Sequence, residues 1–554
     1  MEMDVTSLAA GLPAELHGWP SLALDEFQLA DLELLLTGVF SPLTGFMTAT
    51  DAAATMRRAG HGSGSRFPFP VTLDVPADAV PPDAAHLVLE DAEGAPLAAL
   101  DIIERTQPQP GGAARIAGPV RALRSPEHGP FRRLRRAPHE VRAQLSGPGP
   151  QEPAQVLGCA TRVPLHRPEL DQLCQLADAL GARLLVLPLI TGPASLVRRP
   201  DALVRAVLAA RPALPADTLV VPVPLAPRGA DGAQQEVAAR ALVAAAHGAT
   251  HLFATGPLAD RAAATTAQIA GAGAVTLAVP GAPIPVVLPG EWAFDRDHGR
   301  WRPTERIDRA ARQERLTDAE LIGLLDSGAH IPDWFTPQPV ARELRAALPP
   351  RRQRGLVIFF TGLSGAGKST IARDVADALA ERGDRSASLL DGDHVRRLLS
   401  AGLGFSAADR DLNIARIGYV AAEIARHGGV AICAPIAPYA AARAQARRMA
   451  GETGGDFLLV HVATPLAECE ARDRKGLYAK ARAGTITGFT GVSDPYEAPQ
   501  DADLTIDTSA LTRQDAADAV LGLLTAGGWL APVSGAQGAR QQGPAVMRRG
   551  LGED

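Results

Sequence analysis

Apolar positions recur along this chain in two rhythms. Up to about residue 149 they come in short stretches such as FPVTLDV and HLVLEDAEGAPLAALDII, broken by Pro and Gly clusters, which predicts a β-rich region. Its end, residues 106–153, is rich in Gly, Pro and Arg and reads as loop or linker. From Gln155 the runs VLGCAT, RLLVLPLI, TLVVPVPL, HLFAT and AVTLAV alternate with Ala-rich helical stretches. That alternation predicts βαβ units on a parallel sheet. The helical pattern of ARELRAAL stops at LPPRRQRG, residues 348–355, and a further α/β region opens with LVIFF. It continues through SASLLDGD, VAICAPI, FLLVHVA and LTIDTS to about Leu530, and the remaining residues hold too few apolar positions to order themselves. The expected organisation is a β-rich domain over 1–150, an α/β domain over 151–348, a second α/β domain over 354–530 and a disordered tail over 531–554, with no repeat of fixed period.

Composition narrows the class. The chain has 554 residues, 46% hydrophobic and 21% charged, which is ordinary for globular folding. A net charge of −6 leaves no electrostatic footprint for duplex nucleic acid or an anionic membrane. The start, MEMDVTSLAAGL, lacks a basic region followed by an apolar core, and no run of about eighteen apolar residues occurs, so a cytoplasmic protein is expected. Cys159, Cys174, Cys433 and Cys469 have neither metal-ligand spacing nor the density of a disulfide scaffold. Of the 55 basic residues only Lys368, Lys475 and Lys480 are lysines. An ammonium and a guanidinium are not interchangeable at a chemical site, so these three mark positions to inspect.

Lys368 stands in GLSGAGKS, residues 362–369, directly after LVIFF. The string satisfies G-x-x-x-x-G-K-[ST] in the strand–loop–helix setting that the motif requires. Gly362, Gly365 and Gly367 let the backbone curl so that its N–H groups face a phosphate, and the following helix adds the positive end of its dipole. The expected nucleotide contacts are Gly362, Leu363, Ser364, Gly365, Ala366, Gly367, Lys368, Ser369 and Thr370, with Lys368 on the β- and γ-phosphates and Ser369 on Mg²⁺. The next strand ends in LLDGDHVR, which puts Asp391 and Asp393 at the carboxyl edge of the sheet. Two carboxylates there can orient a Mg²⁺-bound water and take a proton from an acceptor hydroxyl; the plainer alternative is an Asp-Gly turn capping a helix.

Taken together, GLSGAGKSTIA, LDGDHVR, LGFSAADRDLNIARIG, PIAPYAAAR, TPLAECEARDRKGLYAKARAG and FTGVSDPYEAP resemble, in order, the adenylylsulfate kinase family. The resemblance implies a P-loop NTPase-type parallel sheet that phosphorylates the 3′-hydroxyl of adenosine 5′-phosphosulfate (APS) with ATP and Mg²⁺, giving the 3′-phospho compound (PAPS). It assigns Arg396 and Arg410 to the phosphosulfate, Phe405 and Phe489 to the two faces of the APS adenine, and Asn413 near it. Ile436, Lys475 and Leu477 are further APS contacts by the same resemblance, which places Arg474 to Leu477 in a segment over both nucleotides. Asp393 becomes the general base, with Asp391 assisting. Three positions depart from the family pattern: His394 stands for Asn, Ala415 for Arg, and Ala437 for Ser. The last excludes a phosphoserine there.

Upstream, GVFSPLTGFM (residues 38–47) and IPDWFTPQPVARELR (331–345) resemble the opening and closing signatures of ATP sulfurylase. This implies a β-rich, PUA-like N-terminal domain and a Rossmann-like nucleotidyltransferase α/β domain. The family's catalytic strings are eroded. CATRVPLHRPE keeps Thr161, Arg162, Pro164 and His166, but has Ala160 for Gln, Val163 for Asn and Glu169 for the second His. The later Gly-Arg-Asp-His stretch is replaced by residues 255–258, TGPL. Losing several electrostatic stabilisers together removes useful rate, so this half is expected to lack sulfurylase activity, with Arg162 and His166 left open between an anion-binding and a structural role. Two alternatives stay open: a bifunctional chain, and a front half that serves oligomerisation or regulation by sensing nucleotide or docking a separate sulfurylase. Expected partners are ATP, APS and further copies of the chain.

Overall fold

The computed structural model describes residues 16–59, 67–76, 78–106, 112–124, 130–146, 155–192, 199–228, 233–254, 264–269, 273–404, 406–473, 475–486 and 488–532. Phe405, Arg474, residues 255–258 and the tail from 533 lie outside that set, as do the side chains of Asp393, His394 and Arg396. The chain divides into two compact units, one of residues 1–317 with 331–343, the other of residues 318–330 with 344–554.

In the first unit, Ser21–Ala23, His86–Glu90, Pro96–Asp101, Ala113–Ala122 and Gly45–Phe46 lie side by side in that order, with Leu73–Pro76 and Glu104–Arg105 also paired to Ala113–Ala122. HLVLEDAEGAPLAALDII folds as the antiparallel hairpin His86–Glu90 and Pro96–Asp101. Gly118 takes φ +155 where a Cβ would lie 1.9 Å from the Asp101 carbonyl, so only glycine lets these segments meet.

The second sheet of this unit runs Leu219–Val220, Arg183–Pro188, Val156–Thr161, His251–Phe253, Val286–Pro289, Ala274–Ala278, Ala264–Ile269. The first five strands are parallel, as the alternating pattern requires. AVTLAV is not. Ala274–Ala278 pairs antiparallel with Val286–Pro289, because the short connection between them cannot make the crossover of a dozen or more residues that a parallel neighbour needs. TLVVPVPL contributes only Leu219–Val220 and one bridge at Val223, since Pro222 and Pro224 have no N–H to give a ladder.

The second unit is a five-stranded parallel sheet in the order Ala387–Asp391, Val430–Ala434, Leu356–Thr361, Asp456–Val462, Leu504–Ile506. Its central strand is buried on both faces, and alternate residues feed two separate cores. Leu356, Ile358 and Phe360 meet Ile371, Val375, Val520 and Leu524 from helices Lys368–Arg382 and Arg513–Ala526. Val357 and Phe359 meet Ile414, Ile417, Ala442 and Ala446 from helices Ala407–Arg426 and Ala440–Glu452. Such double coverage is why LVIFF reads as a continuous apolar run. Helix Asp318–Ser327 belongs to this unit: the Asp326 carboxylate takes Arg351 and the buried Arg354, and Arg354 also pairs with buried Asp456 at 3.2 Å.

Candidate functional site

The loop between Leu356–Thr361 and helix Lys368–Arg382 is built as its glycines demand. Gly362, Gly365 and Gly367 have φ of +145, +76 and +105, and a Cβ on Gly362 would sit 2.4 Å from the Val462 carbonyl. Gly367 caps the helix, whose first residue is Lys368. The Lys368 side chain is buried and lies along the loop, its Nζ donating to the carbonyls of Gly362 (2.9 Å) and Leu363 (2.7 Å). Ser369 Oγ donates to Asp391 Oδ1 at 3.0 Å, and Arg373 reaches the other oxygen of that carboxylate at 3.4 Å. Strand Ala387–Asp391 thus delivers its last carboxylate to the start of the loop helix. A hydroxyl and a carboxylate oxygen so close fit Mg²⁺, which uses one or two protein oxygens and leaves its other positions to water and phosphate. Among the described residues no group of three or more His, Cys, Asp or Glu side chains could hold a metal by itself, so the ion would depend on the nucleotide for the rest of its ligands.

Three hydroxyls brace the loop, and none of them stood out in the sequence. Thr464 Oγ1 and Thr508 Oγ1 both donate to the Ala366 carbonyl at 3.0 Å and lie 2.8 Å from each other, while Arg472 holds Thr508 at 2.7 Å. Tyr478, buried, donates to the Ser364 carbonyl at 2.8 Å and meets Phe489 edge-on at 5.0 Å between centroids. Each is a lone side chain just beyond a strand or at a helix start, positions for which the sequence has no spacing rule.

On the far side of the sheet edge, Arg410 donates to Thr490 Oγ1 (3.0 Å), the Gly488 carbonyl (2.7 Å) and the Asp494 carboxylate, which also accepts from the Tyr439 hydroxyl at 2.8 Å. Asn413, one turn on along the same helix, is buried, and its Oδ1 has no partner among the described residues. Burial of an amide oxygen without a partner costs about 1–3 kcal/mol, so this atom points to a ligand group or a water. The Ile436 carbonyl accepts from Thr361 Oγ1 at 2.7 Å. Ala437 follows at φ +46, buried and left-handed without being glycine. That conformation costs about 1–2 kcal/mol, here offset by Arg443, which donates to the Ala437 carbonyl. Leu477 starts helix Leu477–Arg482, its N–H donating to Asp473 Oδ1 at 2.8 Å, and backbone N–H groups hold the Asp473 carboxyl below the ordinary value. Lys475 lies in the turn just before it.

The residues kept from the sulfurylase strings in the first unit are bonded to protein groups. Every nitrogen of the Arg162 guanidinium donates to a protein acceptor: Nε to Glu236 (2.9 Å), Nη1 to the Thr191 carbonyl (2.6 Å), Nη2 to the Leu225 carbonyl (2.8 Å). Burial lowers the Arg162 pKa. Burial works in the opposite sense on Glu236, but the charges of Arg162 and Arg240 outweigh it and hold that carboxyl below the usual glutamate value. Thr161 Oγ1 closes a turn onto the Val163 carbonyl at 2.7 Å. His166 stacks on Phe335 at 4.7 Å and bonds Thr336 at 2.9 Å through Nδ1. Glu169, where the sulfurylase pattern has its second histidine, caps the helix start at the His166 N–H and pairs with Arg315 at 3.1 Å.

Family models match the chain in three consecutive segments: a PUA-like domain over 5–115, ATP-sulfurylase over 132–347 and adenylylsulphate kinase over 354–507. The chain is 35% identical to a sulfate adenylyltransferase of Phaeosphaeria nodorum, over 94% of this chain and 96% of that one. It is 36% identical to a sulfate adenylyltransferase of Chaetomium globosum, with the same coverage. Among solved structures it is similar to a hexameric APS kinase from Thiobacillus denitrificans, 34% identical with a TM-score of 0.67, over 93% of this chain and 94% of that one.

Proposed function

The chain belongs to the family of sulfate adenylyltransferases in which PUA-like, ATP-sulfurylase and APS kinase domains follow one another, and from that membership we propose that it is an APS kinase whose sulfurylase half does not make APS. It transfers the γ-phosphoryl group of ATP to the 3′-hydroxyl of APS: the bond from the γ-phosphorus to the β,γ-bridging oxygen breaks, a bond to the 3′-oxygen forms, and PAPS and ADP leave. Such a transfer needs positioning and charge neutralisation more than covalent chemistry. The glycine loop with Thr370 holds the phosphates, Lys368 neutralises the bridging oxygen as charge develops there, and Ser369 with Asp391 holds Mg²⁺. Asp393 accepts the 3′-hydroxyl proton. Arg396, Phe405, Arg410, Asn413, Ile436, Lys475, Leu477 and Phe489 bind APS.

The observation that carries the kinase reading is Ser369 Oγ placed 3.0 Å from the Asp391 carboxylate at the head of a glycine loop. The silent sulfurylase half rests on the donors that are missing, Ala160 and Val163 standing for the family's Gln and Asn and Glu169 for its second His, with Arg162 ion-paired to Glu236 at 2.9 Å. Adenylyl transfer to sulfate needs several such donors and cations together around the anion. Purified chain given APS, ATP and Mg²⁺ should release PAPS and ADP; no PAPS under those conditions removes the assignment.

A bifunctional enzyme is the second reading, favoured by the likeness to the Phaeosphaeria and Chaetomium sulfate adenylyltransferases. Sulfate-dependent exchange of pyrophosphate into ATP would support it. The hexameric state of the Thiobacillus protein supports a third element, assembly of this chain with copies of itself. No described helix is long and apolar enough to cross a membrane, and a cytoplasmic site of action is part of the proposal.

A further inference from the structure

The loop beyond helix Leu477–Arg482 carries Phe489 and is closed on itself. The Phe489 carbonyl accepts from the N–H groups of Val492 (3.0 Å), Ser493 (3.0 Å) and Asp494 (3.1 Å). The Phe489 N–H donates to Ser493 Oγ at 2.8 Å, and the Gly491 N–H to the Asp494 carbonyl at 2.8 Å. A loop bonded in this way moves as one piece, so the place of the Phe489 ring depends on what fastens the piece to the rest of the unit. On one side Gly491, at φ +89, lies against the phosphate loop, where a Cβ would come within 2.9 Å of the Leu363 side chain.

On the other side the fastening is Arg410. Its mostly buried guanidinium grips the loop on both flanks of Phe489, at the Gly488 carbonyl (2.7 Å) and at Thr490 Oγ1 (3.0 Å), and it pairs with Asp494 Oδ2. The same Asp494 oxygen accepts from the Tyr439 hydroxyl at 2.8 Å, and the Tyr439 ring lies beneath the Arg410 guanidinium, 5.9 Å away at its centroid. Tyr439 is the residue that opens helix Ala440–Glu452. One carboxylate therefore joins three pieces: its own loop, helix Ala407–Arg426 through Arg410, and the start of helix Ala440–Glu452 through Tyr439. Both bonds to it are charge-assisted, roughly twice as strong as neutral ones. The phosphate loop is held independently, by Lys368, Ser369, Thr464 and Thr508, none of which bonds Asp494.

We propose that Asp494, completed by Tyr439, is a positioning residue for APS. It fixes the direction of Arg410 and, through Arg410, the place of Phe489, so the cation for the phosphosulfate and the ring for the adenine are set before the substrate arrives. Binding then does not have to order them. The proposal rests on the kinase reading above and adds to it a residue that does not itself touch substrate.

Initial rates of PAPS formation by the full-length chain, with APS and ATP varied in turn, test it on Asp494→Ala, Asp494→Asn and Tyr439→Phe. Asp494→Ala should raise KM for APS by about tenfold to a hundredfold, the loss expected when hydrogen bonds to a charged group are removed, with KM for ATP and kcat little changed. Asp494→Asn, which keeps the shape and an acceptor oxygen, should recover part of that loss. Tyr439→Phe should raise KM for APS by less than Asp494→Ala does. Should Asp494→Ala fail to fold by circular dichroism, Asp494→Asn decides on the same readout. A KM for APS that does not move, or one that rises together with KM for ATP as general loosening would cause, would overturn the positioning role and leave the kinase reading standing. An unmodified chain that forms no PAPS would overturn both.

Discussion

Lys368 shows how a single side chain ties composition to chemistry. In a chain that uses arginine almost everywhere, the cation on the phosphate loop is a lysine, buried, with Nζ within 2.9 Å of two loop carbonyls. Lys368→Ala should lower APS-dependent ADP release by about a hundredfold to a thousandfold, the usual loss when one preorganised electrostatic group is removed; near-normal turnover would exclude the role. Glu236 makes the opposite case. Its carboxylate neutralises the part-buried Arg162, so Glu236→Ala should destabilise the first unit in denaturant titration, by less than the about 3 kcal/mol that breaking a fully buried pair costs. An unchanged midpoint would mean that Arg162 does not need that partner. His461 gives a pH signature. Burial, and then Arg443, push its pKa down to about 4, so below the ordinary histidine value of about 6.5 the unfolded chain binds the proton more readily than the folded one. Stability from the neutral ring is present above that value and lost as pH falls toward 4, so His461→Phe, which keeps the stack on Tyr496, should lose less melting temperature between pH 7 and pH 5 than the unmodified chain. At this scale the sequence was legible where residues sit in spaced strings, as Lys368, Ser369 and Asp391 do. It was silent on Thr464, Thr508 and Tyr478, whose contacts arise only when separate strand ends converge.

Among elements, the parallel strands of both units could be read from runs of apolar residues, because strands covered on both faces carry no polar alternation. The antiparallel Ala274–Ala278 could not, since periodicity has no sign for strand direction and only the length of the following connection decides it. Helix Leu477–Arg482 offers a separate test. Through Tyr478 it touches the phosphate loop at Ser364 and the segment that carries Phe489, so the two ends of the proposed active site share one side chain. Any coupling between them must be reciprocal. Tyr478→Phe keeps the ring contact and removes the hydrogen bond. The gain in APS affinity caused by a non-hydrolysable ATP analogue, read by calorimetry, should then shrink by about fivefold, the equivalent of the ~1 kcal/mol of one hydrogen bond. An unaltered gain would show that the two ends communicate by another route.

Over the whole molecule, two compact units have kept their folds while their polar side chains have gone different ways. In the second, hydroxyls, the Asp391 carboxylate and a lysine converge on a glycine loop. In the first, Arg162, His166 and Glu169 have been drawn into ion pairs, a ring stack and a helix cap. The domain order was legible from its bracketing strings. The internal pairing of what remained was not, because Glu236 lies 74 positions from Arg162 and only the fold brings them together. One measurement separates one activity from two. The purified chain is supplied with ATP, Mg²⁺ and pyrophosphatase, with either sulfate or APS as the sulfur source, and PAPS is followed by chromatography. PAPS should form from APS and not from sulfate; PAPS from sulfate alone, or none from APS, would contradict the assignment.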